Sequence, residues 1–104
     1  MDKIYALNIS KQYLNKLRTE NIPISEAWLF GSYCKGNQTE DSDIDLAIVL
    51  SPNTVNDFNT EVQLMSLRNN KETIIEPHAF TIEEFISNLP IVRQIHKYGE
   101  KIEI

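Results

Sequence analysis

Apolar and polar positions along the chain alternate with two different periods, and the switches between those periods mark its elements. Residues 8–21, NISKQYLNKLRTEN, set Ile9, Tyr13, Leu14 and Leu17 at helical spacing with polar residues between them. Pro23 ends this helix. Residues 26–30, EAWLF, predict a short strand that runs directly into Gly31-Ser32. SYCKG then suits one helical turn closed by Gly36, and NQTEDS is a polar loop. Residues 43–50, DIDLAIVL, alternate with period two. Ile44, Leu46, Ile48 and Leu50 line one face, and Asp43, Asp45, Ala47 and Val49 the other. Both faces are apolar beyond Asp45, as in a central strand covered by helices.

SPN is a turn that opens a second amphipathic helix, with Val55, Phe58, Val62 and Met65 as its apolar stripe and NNKE as its end. TIIEPHAF, residues 73–80, predicts a third strand. Pro77 cannot donate to a ladder, so this strand belongs at an edge or carries a bulge. Thr81 and Glu84 have capping-box spacing and open a short helix, IEEFISN. Pro90 suits the first turn of another helix, 90–98, with Gly99 as its stop. KIEI makes a last short strand. The order of elements predicts an α/β or α+β sheet with helices packed on it.

Composition narrows this picture. The 104 residues, 41% of them hydrophobic, build one compact domain spanning 1–104, with little room for a separate substrate-gripping domain. A net charge of -5 argues against direct nucleic-acid binding, which needs Lys and Arg to neutralise phosphates. It fits a basic partner or local cation binding. The single cysteine, Cys34, excludes an internal disulfide and fits a reducing compartment. No segment approaches the ~18 apolar residues of a membrane span, and the start of the chain lacks a signal-length apolar core. The expected location is cytoplasmic, with no membrane partner.

Asp43 and Asp45 sit two apart on a strand, so both carboxylates project from one face, about 6–7 Å apart along the backbone. Carboxylates that close repel unless they share protons, meet Lys or Arg, or bind a divalent cation. Residues 37–46 contain no Lys or Arg, which leaves Mg²⁺ as the natural counter-charge. The ordinary alternative is two solvated acids at a strand start. Three features favour the metal. Gly31-Ser32 follows a strand and opens a helical turn, where backbone N–H groups attract phosphate, and Lys35 adds positive charge nearby. Glu76 alternates with Ile74, His78 and Phe80 on one face of an otherwise apolar strand, a costly place for an unpaired acid. A phosphate-cradling turn, a carboxylate pair and one further carboxylate on a neighbouring strand together make a two-metal phosphoryl-transfer site.

Two other motifs fail. Gly31 to Gly36 has P-loop glycine spacing, but Asn37 and Gln38 stand where Lys and Ser or Thr are required. Asp41, Asp43 and Asp45 have EF-hand spacing, but Leu46 replaces the obligatory Gly and Pro52 the terminal Glu. His78 shares the face of Glu76, in position to orient a carboxylate or touch a phosphate, although a lone strand histidine is more often structural. Cys34 reads as a small packing residue, Trp28 and Phe30 as core, and Tyr33 as a surface aromatic beside the turn.

Taken together, LFGSYCKGNQTEDSDIDLAIVL resembles the nucleotidyltransferase signature of the DNA polymerase β-like superfamily. The match is Gly-Ser, an interval of roughly ten residues, then Asp-x-Asp. The resemblance is to the branch of minimal nucleotidyltransferases, extends through IIEPHAF and the C-terminal helix and strand, and covers nearly the whole chain. It implies a small mixed sheet of three or four strands. It also implies that Gly31 and Ser32, with Lys35, hold the phosphates of ATP, that Asp43 and Asp45 bind Mg²⁺, and that Glu76 completes a site for two ions and activates the attacking hydroxyl. Many members carry Arg where this chain has Lys35, and the third acid is more widely Asp. The implied function is antitoxin to a helical HEPN-type toxin, by AMPylation of a tyrosine. One alternative is a module of the same fold that neutralises its partner by contact alone. Another is transfer to a small molecule such as an aminoglycoside, in a pocket completed by a homodimer.

Overall fold

In the computed structural model, which describes residues 2–36, 38 and 42–104, the first helix begins upstream of its apolar spacing. Helix α1 (Lys3–Thr19) is capped by Asp2, whose side chain accepts from the Tyr5 N–H at 2.9 Å. Ala6 continues the buried stripe of Ile9, Tyr13, Leu14 and Leu17, while Ile4 and Tyr5 stay exposed and blur the period. The helix stops before Pro23. Asn21 turns left-handed (φ 63°), and the Ile22 N–H reaches back to the Leu17 carbonyl at 3.0 Å.

The remaining elements are β1 (Ile24–Phe30), α2 (Ser32–Lys35), β2 (Ile44–Leu50), α3 (Phe58–Ser66), a 3-10 turn (Asn70–Ile74), β3 (Ile75–Phe80), α4 (Ile82–Phe85), α5 (Pro90–Tyr98) and β4 (Glu100–Ile102). Most of the polar loop expected over 37–42, including Asp41, lies outside the described residues. The described strands form a mixed sheet of four, in the order β3-β2-β1-β4. β1 runs antiparallel to β2 and β4, and β2 runs parallel to β3. β2 is central, and Ile44 and Leu46–Leu50 are all buried. One face of the sheet packs Leu29, Leu46, Ile48 and Leu50 with Ile9, Tyr13, Leu14 and Leu17 of α1. The other packs Phe30, Ala47, Val49 and Phe80 with Phe85 of α4 and Val92 and Ile95 of α5.

β3 is an edge strand, as Pro77 requires. Its outward carbonyls are taken by side chains: Arg68 donates to Ile75 O at 2.9 Å, and Asn56 to Ala79 O at 2.9 Å. The capping box at α4 forms, with Thr81 Oγ1 accepting from the Glu84 N–H at 3.1 Å and Glu84 Oε1 accepting from the Thr81 N–H at 2.9 Å. No helix of the described residues is long and apolar enough to cross a membrane.

Helix α3 turns the opposite way from its apparent stripe. Val55, Phe58, Val62 and Met65 are exposed, and Leu64 is the buried residue of the helix. Two polar contacts decide the orientation. The Tyr13 hydroxyl donates to the Leu64 carbonyl, and Lys16 Nζ donates to the Leu67 carbonyl at 2.9 Å. Both fix the Leu64–Leu67 side of the helix against α1, where Leu67 also packs on the core. Lys16 further pairs with Glu72, which is buried in the 3-10 turn and accepts from the Asn69 N–H at 2.9 Å. That turn delays the start of β3 to Ile75, two residues after the position expected from sequence.

Candidate functional site

Register brings the acids together. Asp45 lies opposite Phe30 on β1 and opposite Glu76 on β3. Partners in register point to the same side of a sheet, so Phe30, Asp45 and Glu76 share a face, with Trp28, Ala47 and His78 in the next row. Helices α4 and α5 cover the far end of that face through Phe85, Val92 and Ile95. The near end stays open: Asp45 and His78 are half-buried and Glu76 is exposed.

His78 Nε2 lies 3.2 Å from Asp45 Oδ1. Its ring is held edge-on by Phe30, with centroids 5.1 Å apart. Asp45, Glu76 and His78 can each offer one ligand atom within 4.8 Å of the other two. A pair of carboxylates and an imidazole converging from two adjacent strands could hold a divalent cation, and the carboxylates could accept a proton from a bound hydroxyl. Asp43 sits just before β2, is exposed, and stands outside this trio. Of the expected acids, Asp45 and Glu76 are brought together and Asp43 flanks them. His78 joins them instead, and its signal was the alternation Glu76–His78 on a strand in register with Asp45.

Gly31 is the N-cap of α2, with φ 78° and ψ −147°. A β-carbon there would run into the Asp45 carboxylate, so glycine is required both for the backbone and for the close approach of that acid. Ser32 is the first residue of α2 and half-buried, and Gly36 ends the turn left-handed at φ 79°. Lys35 leans on α5, with Nζ 3.4 Å from Gln94 Oε1 and 5.6 Å from the centroid of the Tyr98 ring. Gln94 and Tyr98 line a surface hollow with Pro90, Arg93 and Lys97, so three cations gather beside the turn.

Tyr33 departs from expectation: it is 2% exposed, a core residue rather than a surface aromatic. Cys34 packs as expected, its thiol donating to the Leu29 carbonyl at 3.2 Å. Burial pushes the pKa of both groups up.

The profile of the polymerase β nucleotidyltransferase family matches residues 11–103. Among solved structures, a proposed nucleotidyltransferase from Sulfolobus solfataricus aligns with a TM-score of 0.65 at 19% identity, over 79% of this chain and 72% of its own. A toxin–antitoxin structure with AMP-PNP aligns with a TM-score of 0.63 at 24% identity, over 88% of this chain and 71% of that one. A mutant of the toxin–antitoxin pair MntA–HpeT aligns with a TM-score of 0.62 at 18% identity, over 89% of this chain and 71% of that one. No curated protein matches the chain significantly. The three structural likenesses are likenesses of fold, and the family match spans the glycine turn, Asp43, Asp45 and Glu76. By that match the chain belongs to the polymerase β nucleotidyltransferase family.

Proposed function

We propose that the protein transfers AMP from ATP to a hydroxyl on a partner protein, most simply a tyrosine, in the cytoplasm. The partner in this reading is a helical HEPN-type toxin, and the modification silences it. One observation carries the chemistry: Asp45 and Glu76 meet in register at the open end of one sheet face, with Asp45 pressed against the glycine turn. The partner reading draws support from the two toxin–antitoxin structures, one with AMP-PNP, that share the fold.

The donor set fits a divalent ion, since two carboxylates and an imidazole converge within 4.8 Å. In this reading Asp45 and Glu76, with Asp43 at the flank, hold Mg²⁺. Held there, Mg²⁺ would lend positive charge to the entering and leaving oxygens. Gly31 and Ser32 hold the phosphate tail through backbone N–H groups, and Lys35 supplies a point charge to it. Glu76 accepts the proton of the attacking hydroxyl. The new bond joins that oxygen to the α-phosphorus, the bond to the β-phosphate oxygen breaks, and pyrophosphate carries away the electron pair. The protein's part is to align these groups and to stabilise the charge that develops on them.

The test incubates the purified protein with the product of the adjacent gene, ATP labelled at the α-phosphate and Mg²⁺. The expected result is label on the partner, lost in an Asp43→Ala/Asp45→Ala double variant. Absence of label, or equal labelling by the variant, overturns the reading. A double variant that still binds and neutralises the partner moves the function to contact alone.

A further inference from the structure

We propose that the outward face of α3 is the docking surface for the partner protein, and that it takes an amphipathic helix whose apolar stripe is bordered by Lys or Arg. The inference rests on the reading that this chain acts on a partner protein. It adds where that partner is held.

Three observations carry it. The first is the face itself. Val55, just before α3, and Phe58, Val62 and Met65 on it follow one another at intervals of three, four and three residues. All four are exposed, Phe58 at 77%, while the opposite side of the helix is tied to α1 through Leu64 and Leu67. A contiguous apolar stripe turned to water and rimmed by polar residues marks an interaction site. This spacing makes the ridge that packs between the side chains of another helix.

The second is the sheet edge beside it. Asn56 and Arg68 flank α3 and donate to Ala79 O and Ile75 O, near the two ends of β3, so helix and strand run antiparallel side by side. Those bonds occupy outward carbonyls of the strand, and Pro77 between them has no N–H. An added strand would have to displace both side chains. A partner therefore packs on side chains here rather than pairing with the backbone. Seated on α3, it lies along the edge strand that also carries the exposed Glu76.

The third is charge, which separates a partner from a second copy of this chain. Glu61 borders the stripe, three residues after Phe58 and four before Met65. Arg68, beyond Met65, is folded onto the Met65, Thr73 and Ile75 carbonyls. Two copies paired through this face would bring two such acids, on chains of net charge -5, to one interface. A helix bordered by Lys or Arg meets the same face with opposite charge.

The test measures binding of the product of the adjacent gene by calorimetry and by stopped flow, without ATP or Mg²⁺. A Phe58→Gln/Val62→Gln variant, which keeps the net charge, should bind at least about tenfold more weakly. Ile86→Gln, on a side chain 76% exposed outside α3, should bind as wild type does. Glu61→Lys should slow association and weaken its salt dependence. Met65→Gln, at the other end of the stripe, repeats the test if the double variant melts early. Undiminished binding in the stripe variants, an equal loss in Ile86→Gln, or no binding by the wild type overturns the proposal. So does a wild-type dimer in sedimentation that the stripe variants abolish, since the face then belongs to a second copy. A partner held through the stripe but left unlabelled by ATP and Mg²⁺ sinks the proposed transfer and leaves the docking face standing. Label passed equally by wild type and stripe variants at low partner concentration sinks the docking face and leaves the transfer standing.

Discussion

At the residue scale the tightest constraint is Gly31. Its backbone lies in a region that only glycine adopts easily, and the Asp45 carboxylate fills the space a side chain would need. A Gly31→Ala chain should lose about 1–3 kcal/mol of stability from backbone strain, read as a lower urea midpoint. It should also lose metal affinity, because Asp45 must move. Gly36 provides the contrast. It is also left-handed, but no described atom lies within 4 Å of where its β-carbon would be. Gly36→Ala should cost about 1 kcal/mol and leave metal binding intact. Equal metal affinity in both variants would show that the Gly31 contact does not position Asp45. Asp57 carries a separate, pH-dependent constraint. Its carboxylate caps α3, and the Thr60 N–H and hydroxyl beside it lower its pKa. A depressed acid stabilises the fold above the ordinary aspartate range, and that stabilisation fades as pH falls through the lowered value. Thermal melts of wild type and Asp57→Ala should therefore differ at neutral pH and converge in acid.

At the element scale, one polar contact set organises the α1 side of the sheet. Lys16 joins α1 to the end of α3 through Leu67 and to the 3-10 turn through Glu72. The partners are unequal: Glu72 is 2% exposed, while the Lys16 side chain keeps 30% exposure. Removing the lysine leaves a carboxylate buried without its cation. Removing the acid leaves a lysine that can hydrate. Lys16→Met should therefore cost about 3–5 kcal/mol, and Glu72→Gln, which keeps the acceptor for the Asn69 N–H, about 1–3 kcal/mol. The reverse order in denaturant melts would mean that the lysine contributes packing rather than charge. This contact set is also where periodicity misled. Val55, Phe58, Val62 and Met65 have helical spacing, but spacing cannot say which of two apolar stripes is tethered. The Tyr13–Leu64 and Lys16–Leu67 hydrogen bonds join residues about 50 apart in sequence. By contrast β2, the Thr81–Glu84 box, Pro90 and the edge position of Pro77 were legible, because each rests on local chemistry. The site was legible in the same measure. Gly31, Asp45 and Glu76 were visible from motif and pattern. The place of His78 beside Asp45 depends on the β2–β3 register, which no local signal fixes.

At the scale of the whole molecule, the described residues build one sheet and the helices that cover it. Helices α4 and α5 close only the far end of the face that carries Asp45 and Glu76, which leaves its near end open to the partner of the proposed reaction. Nucleotide and metal should therefore bind the isolated chain, while transfer appears only when the partner is present. Charge makes this dependence measurable. The chain carries a net charge of -5, so a basic partner approaches it along an attractive field. Salt screens that field over about a Debye length, ~8 Å at physiological ionic strength. In the proposed reaction the reacting groups would stand closer than that. Raising the salt should lower kcat/KM for the partner by about tenfold or more, while kcat at saturating partner changes little. If instead kcat falls with salt and kcat/KM follows it in parallel, charge acts on the chemical step, and the steering account of partner recognition fails.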